Sequence, residues 1–408
     1  MEVIYIIMSL LLLSTSLSLL IWTVFITRLL RSFAKSPKLK SIAAAKDTPR
    51  VNVLLPVRDD EEHIGRCLDG LLKQNYHNYS IVVICDSDSD KHDKTIEIVS
   101  EYGKRYPEKI SMVMADPKPD GWVGKNWACY SGYLKSDCDI LLFTDSDTLH
   151  SEDIMTLAIG YFLANKLDVL TVRPRLLCED IWSKIIYPIL WTYHHVKYSA
   201  ILVNDPNKMT GSVFGCFFII TRKSYEKLGT HKEIKGEVLE DIVLGEKIKK
   251  AKIALRMVHG EYHLQQALSG SFKTAWHRLS RSNNMFPIQM ENAKYSPIVS
   301  SLSVFLSLMF PFALLPVLMG ISQIENLSDV AINSLLILFV IDLVVIISVS
   351  VIYVIQSKFG LFQSPLYALF SFLGAMVIAV GLMYAFLVEK EKIEWRGREY
   401  IVNGKNFR

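Results

Sequence analysis

The sequence predicts an α/β domain with a mostly parallel sheet, joined to α-helical transmembrane segments. Three observations carry that expectation. Short apolar runs alternate with amphipathic stretches from Val51 to Phe143, the pattern of parallel strands and their crossover helices. Long apolar segments without charged side chains flank this region on both sides, and a bilayer core of ~30 Å needs about 20 helical residues. Three acidic clusters, Asp86-Ser87-Asp88, Asp145-Ser146-Asp147 and Glu240-Asp241, lie in the polar stretch between them.

Val3 to Thr27 carries no charged side chain, and Arg28, Arg31, Lys35, Lys38 and Lys40 follow it. The segment lacks a small-residue cleavage site after a short apolar core, so an uncleaved anchor is expected rather than a signal peptide. The basic residues behind it favour a cytoplasmic location for the next domain. Ser41 to Arg50 is a polar linker. Strands are then expected at Val51–Val57, Ile81–Cys85, Ile110–Met114 and Ile140–Phe143, with helices at Glu62–Leu72, Thr95–Tyr106 and Lys125–Ser136. Asp93 is placed to cap the second of these helices. Asp168–Val172 and Phe217–Thr221 read as two further strands. Ile181 to Val203 mixes Trp, Tyr and Ile with Lys184, His194, His195 and Lys197, so a helix lying on a membrane surface is expected.

From Ser296 the character changes. Ser296–Ile324 and Phe359–Val388 are free of charge, and Val330–Ser357 carries only Asp342, which either serves a function within the bilayer or pairs with a neighbouring helix. Four spans from an outside N-terminus would leave the tail outside. Its Lys390, Lys392, Arg396, Arg398, Lys405 and Arg408 favour the cytoplasm, so the Ser296–Ile324 segment, interrupted by Pro311 and Pro316, is the candidate re-entrant element. The expected divisions are an anchor over 1–30, a linker over 31–50, a catalytic domain over 51–255, a membrane-edge helical segment over 256–295, transmembrane helices over 296–388 and a basic tail over 389–408.

The 408 residues are half apolar with a net charge of +4. The basic residues form no dense stripe with interleaved aromatics, so no nucleic-acid partner is indicated. Six cysteines show no metal-binding spacing and are expected to be core residues.

The chemistry lies in the acidic clusters. Carboxylates at the ends of neighbouring parallel strands meet in the crevice where such sheets take ligands. They repel one another unless a cation fills the space. Asp145 and Asp147 follow an apolar strand and suit a divalent cation, Mg²⁺ or Mn²⁺, that carries substrate phosphates. Asp86 also follows a strand and can accept hydrogen bonds from a base or ribose, whereas Asp88, Asp90 and Asp93 read as a solvated turn. Gly121 to Asn126 opens a helix, where backbone amides and Lys125 favour phosphate or a carboxylate; a structural turn is the alternative. Glu240 and Asp241 either favour the dipole of the helix they begin or supply a general base. Arg278 and Arg281, three apart on one helix face, suit a diphosphate or lipid phosphates.

Together these residues resemble a membrane-bound family 2 glycosyltransferase with the GT-A (nucleotide-diphospho-sugar transferase-like) fold, over Val51 to Phe286 and the tail. Pro56-Val57-Arg58-Asp59-Asp60-Glu61 is similar to the family's opening P-x-R-N-E-E, with Asp59 for Asn and Asp60 for Glu. Asp86 matches the nucleotide-binding aspartate, Asp145-Ser146-Asp147 the metal-binding D-x-D, and Glu240-Asp241 the E-D motif that holds the catalytic base. Gly215-Cys216-Phe217-Phe218 and Gly229-Thr230-His231 resemble the acceptor side. Gly121-Trp122-x-Gly124-Lys125 and Trp395-Arg396-Gly397-Arg398-x-Tyr400 resemble enzymes that glycosylate carotenoid, hopanoid or ceramide-type lipids. The Q/R-x-x-R-W motif is absent; Trp276 to Arg281 stands in its place.

The resemblance implies an inverting, metal-dependent transferase that moves a sugar from a nucleotide-sugar, a UDP-sugar, to a lipid hydroxyl at the cytoplasmic membrane face. Asp241 would be the base. Pro56, Arg58, Asp60, Asp86, Lys125, Asp145, Ser146, Glu240, Arg278 and Arg281 would bind the donor, and Asp145 and Asp147 the metal. Two other readings stay open here: a processive polysaccharide synthase, and a membrane transporter or sensor with a nucleotide-binding regulator.

Overall fold

The computed structural model describes residues 2–40, 48–86, 93–268, 271–276, 310–321, 329–387, 392–395, 398–403 and 406–407. Helix α1 (Glu2–Lys35) opens the chain. The first half of the α/β unit runs β1 (Val51–Val57), α2 (Ile64–Leu72), β2 (Tyr79–Cys85), α3 (Thr95–Arg105), β3 (Ile110–Met114), α4 (Gly124–Leu134) and β4 (Ile140–Phe143). There follow β5 (Thr148–His150), α5 (Ile154–Ala164), β6 (Val169–Arg173), β7 (Arg175–Cys178), α6 (Ile181–Lys197), α7 (Ala200–Asn204), β8 (Phe218–Thr221), α8 (Arg222–Lys227), α9 (Glu240–Lys250), β9 (Leu255–His259) and β10 (Leu264–Leu268). Three apolar helices come next, α10 (Phe310–Ile321), α11 (Asp329–Phe359) and α12 (Ser371–Leu387), and then β11 (Lys392–Trp395), β12 (Arg398–Asn403) and β13 (Asn406–Phe407).

Two compact units result. One gathers Lys35–Leu177, Tyr198–Ala267 and Glu391–Arg408; the other gathers Met1–Ala34, Cys178–Lys197 and Leu268–Lys390. The first is built on a seven-stranded sheet in the order β3-β2-β1-β4-β8-β6-β9. Its left half is parallel, because each strand is followed by a crossover helix. Strand β8 runs antiparallel to both neighbours, β4 and β6, so the sheet is mostly rather than wholly parallel. Strands β1, β2 and β4 lie side by side, with Val57 level with Cys85 and Leu54 level with Phe143. Their carboxyl ends therefore deliver Arg58, Asp86 and Thr144-Asp145 to one edge of the sheet. β1 is buried on both faces save for a half-buried Pro56, as a central parallel strand must be. All six cysteines are buried.

Several local expectations shift. Residues 255–268, placed in a helical segment from 256 onward, form strands β9 and β10 instead. Strand β9 pairs in parallel with β6, from Val169 opposite Leu255 to Arg173 opposite His259, and Leu255, Met257 and Val258 are buried there. The helix expected from Ile181 to Val203 ends at Lys197, and Ser199 starts α7 by accepting a hydrogen bond from the Leu202 amide. The N-cap of α3 is Lys94 rather than Asp93; Asp93, one residue earlier, accepts from the Thr95 amide at 2.8 Å. The described part of the basic tail is a set of antiparallel strands, β11 to β13; Lys392-Ile393-Glu394-Trp395 alternates charged and apolar residues as a strand does, and Ile393 lies opposite Tyr400. The polar linker falls partly, and Asp88, Asp90, Arg278 and Arg281 wholly, outside the described residues.

In the helical unit, Ile6–Lys35 and Asp329–Phe359 are long and apolar enough to cross a membrane. Trp22 packs with Ile185, Ile189, Val345, Val349 and Ile378, so α1, α6, α11 and α12 share one core. The Tyr353 hydroxyl donates to the Ile185 carbonyl, tying α11 to α6, and Gln356 Nε2 donates to Thr192 at 2.9 Å. Helix α6 thus buries one face against other helices of its unit. Asp342 is fully buried, and its carboxylate has no hydrogen-bond partner among the described residues.

One close approach matters for the site. Gly211 and Gly245 bring two backbones together so tightly that a Cβ on Gly245 would fall on Ser212. That contact docks α9 on residues 211–213, where the Val213 amide donates to the Asp241 carbonyl at 3.1 Å. Gly245→Ala is therefore expected to destabilise the protein by about 1–3 kcal/mol, the usual cost of overpacking, read as a lowered unfolding midpoint in detergent.

Candidate active site

The edge formed by β1, β2 and β4 faces the N-terminus of α9 across a small hollow. Pro56, Lys125, Asp145, Gly215, Glu240 and Asp241 all line it. Lys125, in the first turn of α4, is the hub: its ammonium lies 2.8 Å from Asp145 Oδ1 and 2.8 Å from Glu240 Oε1. Burial opposes the charge on Lys125, but the two carboxylates prevail and hold its pKa well above the ordinary lysine value. Gly215 makes room for this arrangement, since a Cβ there would stand 2.8 Å from Lys125 Nζ.

Asp241 borders the same hollow without an ion pair to Lys125. Burial and then the neighbouring Glu240 charge push its carboxyl up to about 7, against the pull of Lys125. The Ile242 amide, which also donates to the Leu239 carbonyl at 3.2 Å, donates to Asp241 Oδ1 at 2.8 Å and orients the side chain. A carboxyl poised near neutrality in a hollow is the profile of a general base.

Asp145 and Asp147 flank Ser146 in the turn between β4 and β5. The Asp147 carbonyl accepts from the Ala267 amide at 2.9 Å and its carboxylate accepts from Gln266 Nε2 at 3.3 Å, so β10 fixes the turn. The charges of Asp60, Asp145 and Asp147 all reach the buried Cys67 thiol, which burial first and these carboxylates next push well up. Those of Asp145, Asp147 and Asp241 act in the same way on Cys216. Asp145 shares the hollow with Asp241, and Ser146, between the two aspartates, donates to Asp60. Two hard carboxylate donors fit a divalent cation that takes its remaining ligands from water and phosphate.

Asp60 follows β1 and accepts from the Ser146 hydroxyl and from His63 Nδ1 at 2.7 Å. That bond with Asp60 outweighs burial and raises the His63 pKa. Asp86, at the end of β2, is the most heavily clamped carboxylate. Arg398 grips it with both arms of the guanidinium, at 2.6 and 2.9 Å, and Arg58 donates to its carbonyl at 2.7 Å. Pro56, Arg58, Asp60, Asp86, Lys125, Asp145, Ser146, Asp147, Glu240 and Asp241 are therefore gathered along one edge of one sheet, while Arg278 and Arg281 lie outside the described residues. Sequence reasoning passed over His63, Gln266 and the pairing of Arg398. The Trp395 to Tyr400 motif was the available signal for Arg398.

The sheet order and the crevice at its strand ends are of the GT-A type. The chain belongs to glycosyl transferase family 21, whose model matches residues 11–406. It is 24% identical over 253 residues to a 4,4'-diaponeurosporenoate glycosyltransferase of Staphylococcus haemolyticus, covering 61% of this chain and 63% of that protein. It is 21% identical over 232 residues to the protein of the same name in Staphylococcus aureus strain USA300, covering 56% of this chain and 59% of that one. The chain thus matches under two thirds of each of these relatives. Among solved structures it is similar to the mannosyltransferase PcManGT from Pyrobaculum calidifontis, in complex with GDP-Man and Mn²⁺. The TM-score is 0.55 at 17% identity, over 94% of this chain and 100% of that one, a likeness of fold.

Because Lys125 neutralises two carboxylates at once, its loss leaves uncompensated charge. Lys125→Met is expected to cost about 3–5 kcal/mol of stability, measured by denaturant or thermal unfolding, with Lys125→Arg recovering much of it.

Proposed function

We propose that the protein transfers a sugar from a nucleotide-sugar, a UDP-sugar, to the hydroxyl of a lipid, with inversion, at the cytoplasmic face of a membrane that its apolar helices span. The observation that carries this reading is the Lys125 bridge, which sets the D-x-D aspartate Asp145 beside the Glu240-Asp241 pair in one hollow. Lipid acceptance is supported by the relatives that bear the name of a carotenoid-acid glycosyltransferase. The two long apolar helices support attachment to a membrane.

In this mechanism Asp86, Asp60, Arg58 and Ser146 position the nucleotide along the strand ends. Asp241 takes the proton from the acceptor hydroxyl. The freed oxygen attacks the anomeric carbon from the side opposite the diphosphate. The bond from that carbon to the diphosphate oxygen breaks, and its electron pair leaves with the nucleoside diphosphate. A divalent cation held by Asp145 and Asp147, when bound, supplies positive charge for the departing diphosphate. Lys125 keeps Asp145 and Glu240 in place while that charge develops.

Asp241→Asn is expected to lower turnover by about 10²–10⁴-fold, the usual worth of a general base, with nucleoside diphosphate binding nearly unchanged. Incubating membranes with a panel of labelled nucleotide-sugars, then extracting lipids and weighing the products, reads the first effect; full turnover by the purified variant would refute the base assignment. A base whose pKa is raised to about 7 is protonated and idle below that pH. Turnover should accordingly climb as pH rises through about 7, and this rise should vanish in Asp241→Asn. Stripping divalent cations with a chelator should weaken donor binding, and Mn²⁺ or Mg²⁺ should restore it.

A further inference from the structure

The pairing of Arg398 with Asp86 joins residues 312 apart in sequence. It brings the first residue of β12 onto the end of β2. Asp86 is only 8% exposed, and two guanidinium groups flank it. Arg398 engages both carboxylate oxygens. Arg58 Nη1 lies 3.7 Å from Oδ1 while it donates to the Asp86 carbonyl. Both guanidinium groups thus bear on one buried carboxylate, and Arg58 in turn lies 3.7 Å from Asp59.

A bidentate guanidinium fixes a carboxylate in orientation as well as charge. Each carboxylate oxygen has further lone pairs, so a clamped Asp86 still accepts hydrogen bonds from the N–H groups of a base or the hydroxyls of a ribose. We infer that Arg398, carried by the C-terminal hairpin, is a positioning residue for the donor nucleotide: it locks Asp86 in the orientation that the nucleoside requires and makes the hairpin a wall of the nucleotide subsite. This rests on reading the crevice as a donor site.

The test is titration of full-length protein in detergent with UDP and with GDP, together with donor and acceptor kinetics. Arg398→Ala is expected to weaken nucleoside diphosphate binding by about ten-fold or more, in keeping with the loss of a charge-assisted bidentate contact. The KM for the donor should rise to match, while kcat and the acceptor KM stay within about two-fold. Arg398→Lys keeps the charge but not the fork, and should recover only part of the affinity. Because Arg398 acts through Asp86, the double variant with Asp86→Asn should bind little worse than Asp86→Asn alone. The proposal is overturned if Arg398→Ala binds nucleotide as well as the wild type or more tightly, the result for a latch that merely closes an empty site. It is equally overturned if Arg398→Ala and Arg398→Lys lose affinity only in step with thermal stability. A wild type that binds neither nucleotide would instead refute the donor-site reading itself.

Discussion

Asp145 and Glu240 reach the crevice from opposite directions, one from a strand end and one from the first turn of a helix, and both carry negative charge into a confined space. Lys125 makes their approach tolerable. Its ammonium meets each at 2.8 Å, and the two contacts outweigh the burial that would otherwise discourage its charge. The remaining features of the crevice depend on this bridge. It fixes α4 and α9 at a set distance from the strand ends. It also engages Glu240 and not Asp241, so the second carboxyl of the pair is left to feel burial and its neighbour's charge and is pushed up to about 7. Two adjacent carboxyl groups thereby have different environments, one salt-bridged and one poised to exchange a proton.

The nucleotide end obeys the same logic with different partners. Asp60 is steadied by His63 and Ser146, and Asp86 by Arg58 and Arg398. Hydrogen bonds to neighbouring side chains hold these carboxylates in fixed directions before any ligand arrives, so little ordering entropy remains to be lost on binding. The backbone does the coarse work, because parallel pairing of β1 with β2 and β4 brings their carboxyl ends level.

Much of this was legible in the sequence, for identifiable reasons. Ile140–Phe143 was bounded correctly because its apolar run is fenced by Asp139 and Thr144. Thr148–His150 was missed. Three residues of mixed character become a strand only through pairing with Leu264 to Gln266, more than a hundred positions away. The same contrast holds in the site. The acidic clusters stood out individually, since carboxylates after apolar strands are conspicuous. That Lys125 joins two of them, or that Arg398 closes on Asp86, depends on tertiary approach that no spacing rule encodes. The antiparallel β8 was hidden for the same reason, as strand direction is set by the connection and not by the residues within it.

At the centre of the account is one claim: carboxylates from separate strands and a helix converge on a single place where a cation and a diphosphate are held beside a base. Manganese-edge anomalous scattering from crystals grown with Mn²⁺ and a nucleoside diphosphate tests it most directly. The account predicts one strong peak within coordination distance of Asp145 and Asp147, with the diphosphate between that peak and the strand ends and Asp241 across the hollow. A manganese peak away from both aspartates, or a nucleotide lodged elsewhere on the protein, would contradict it.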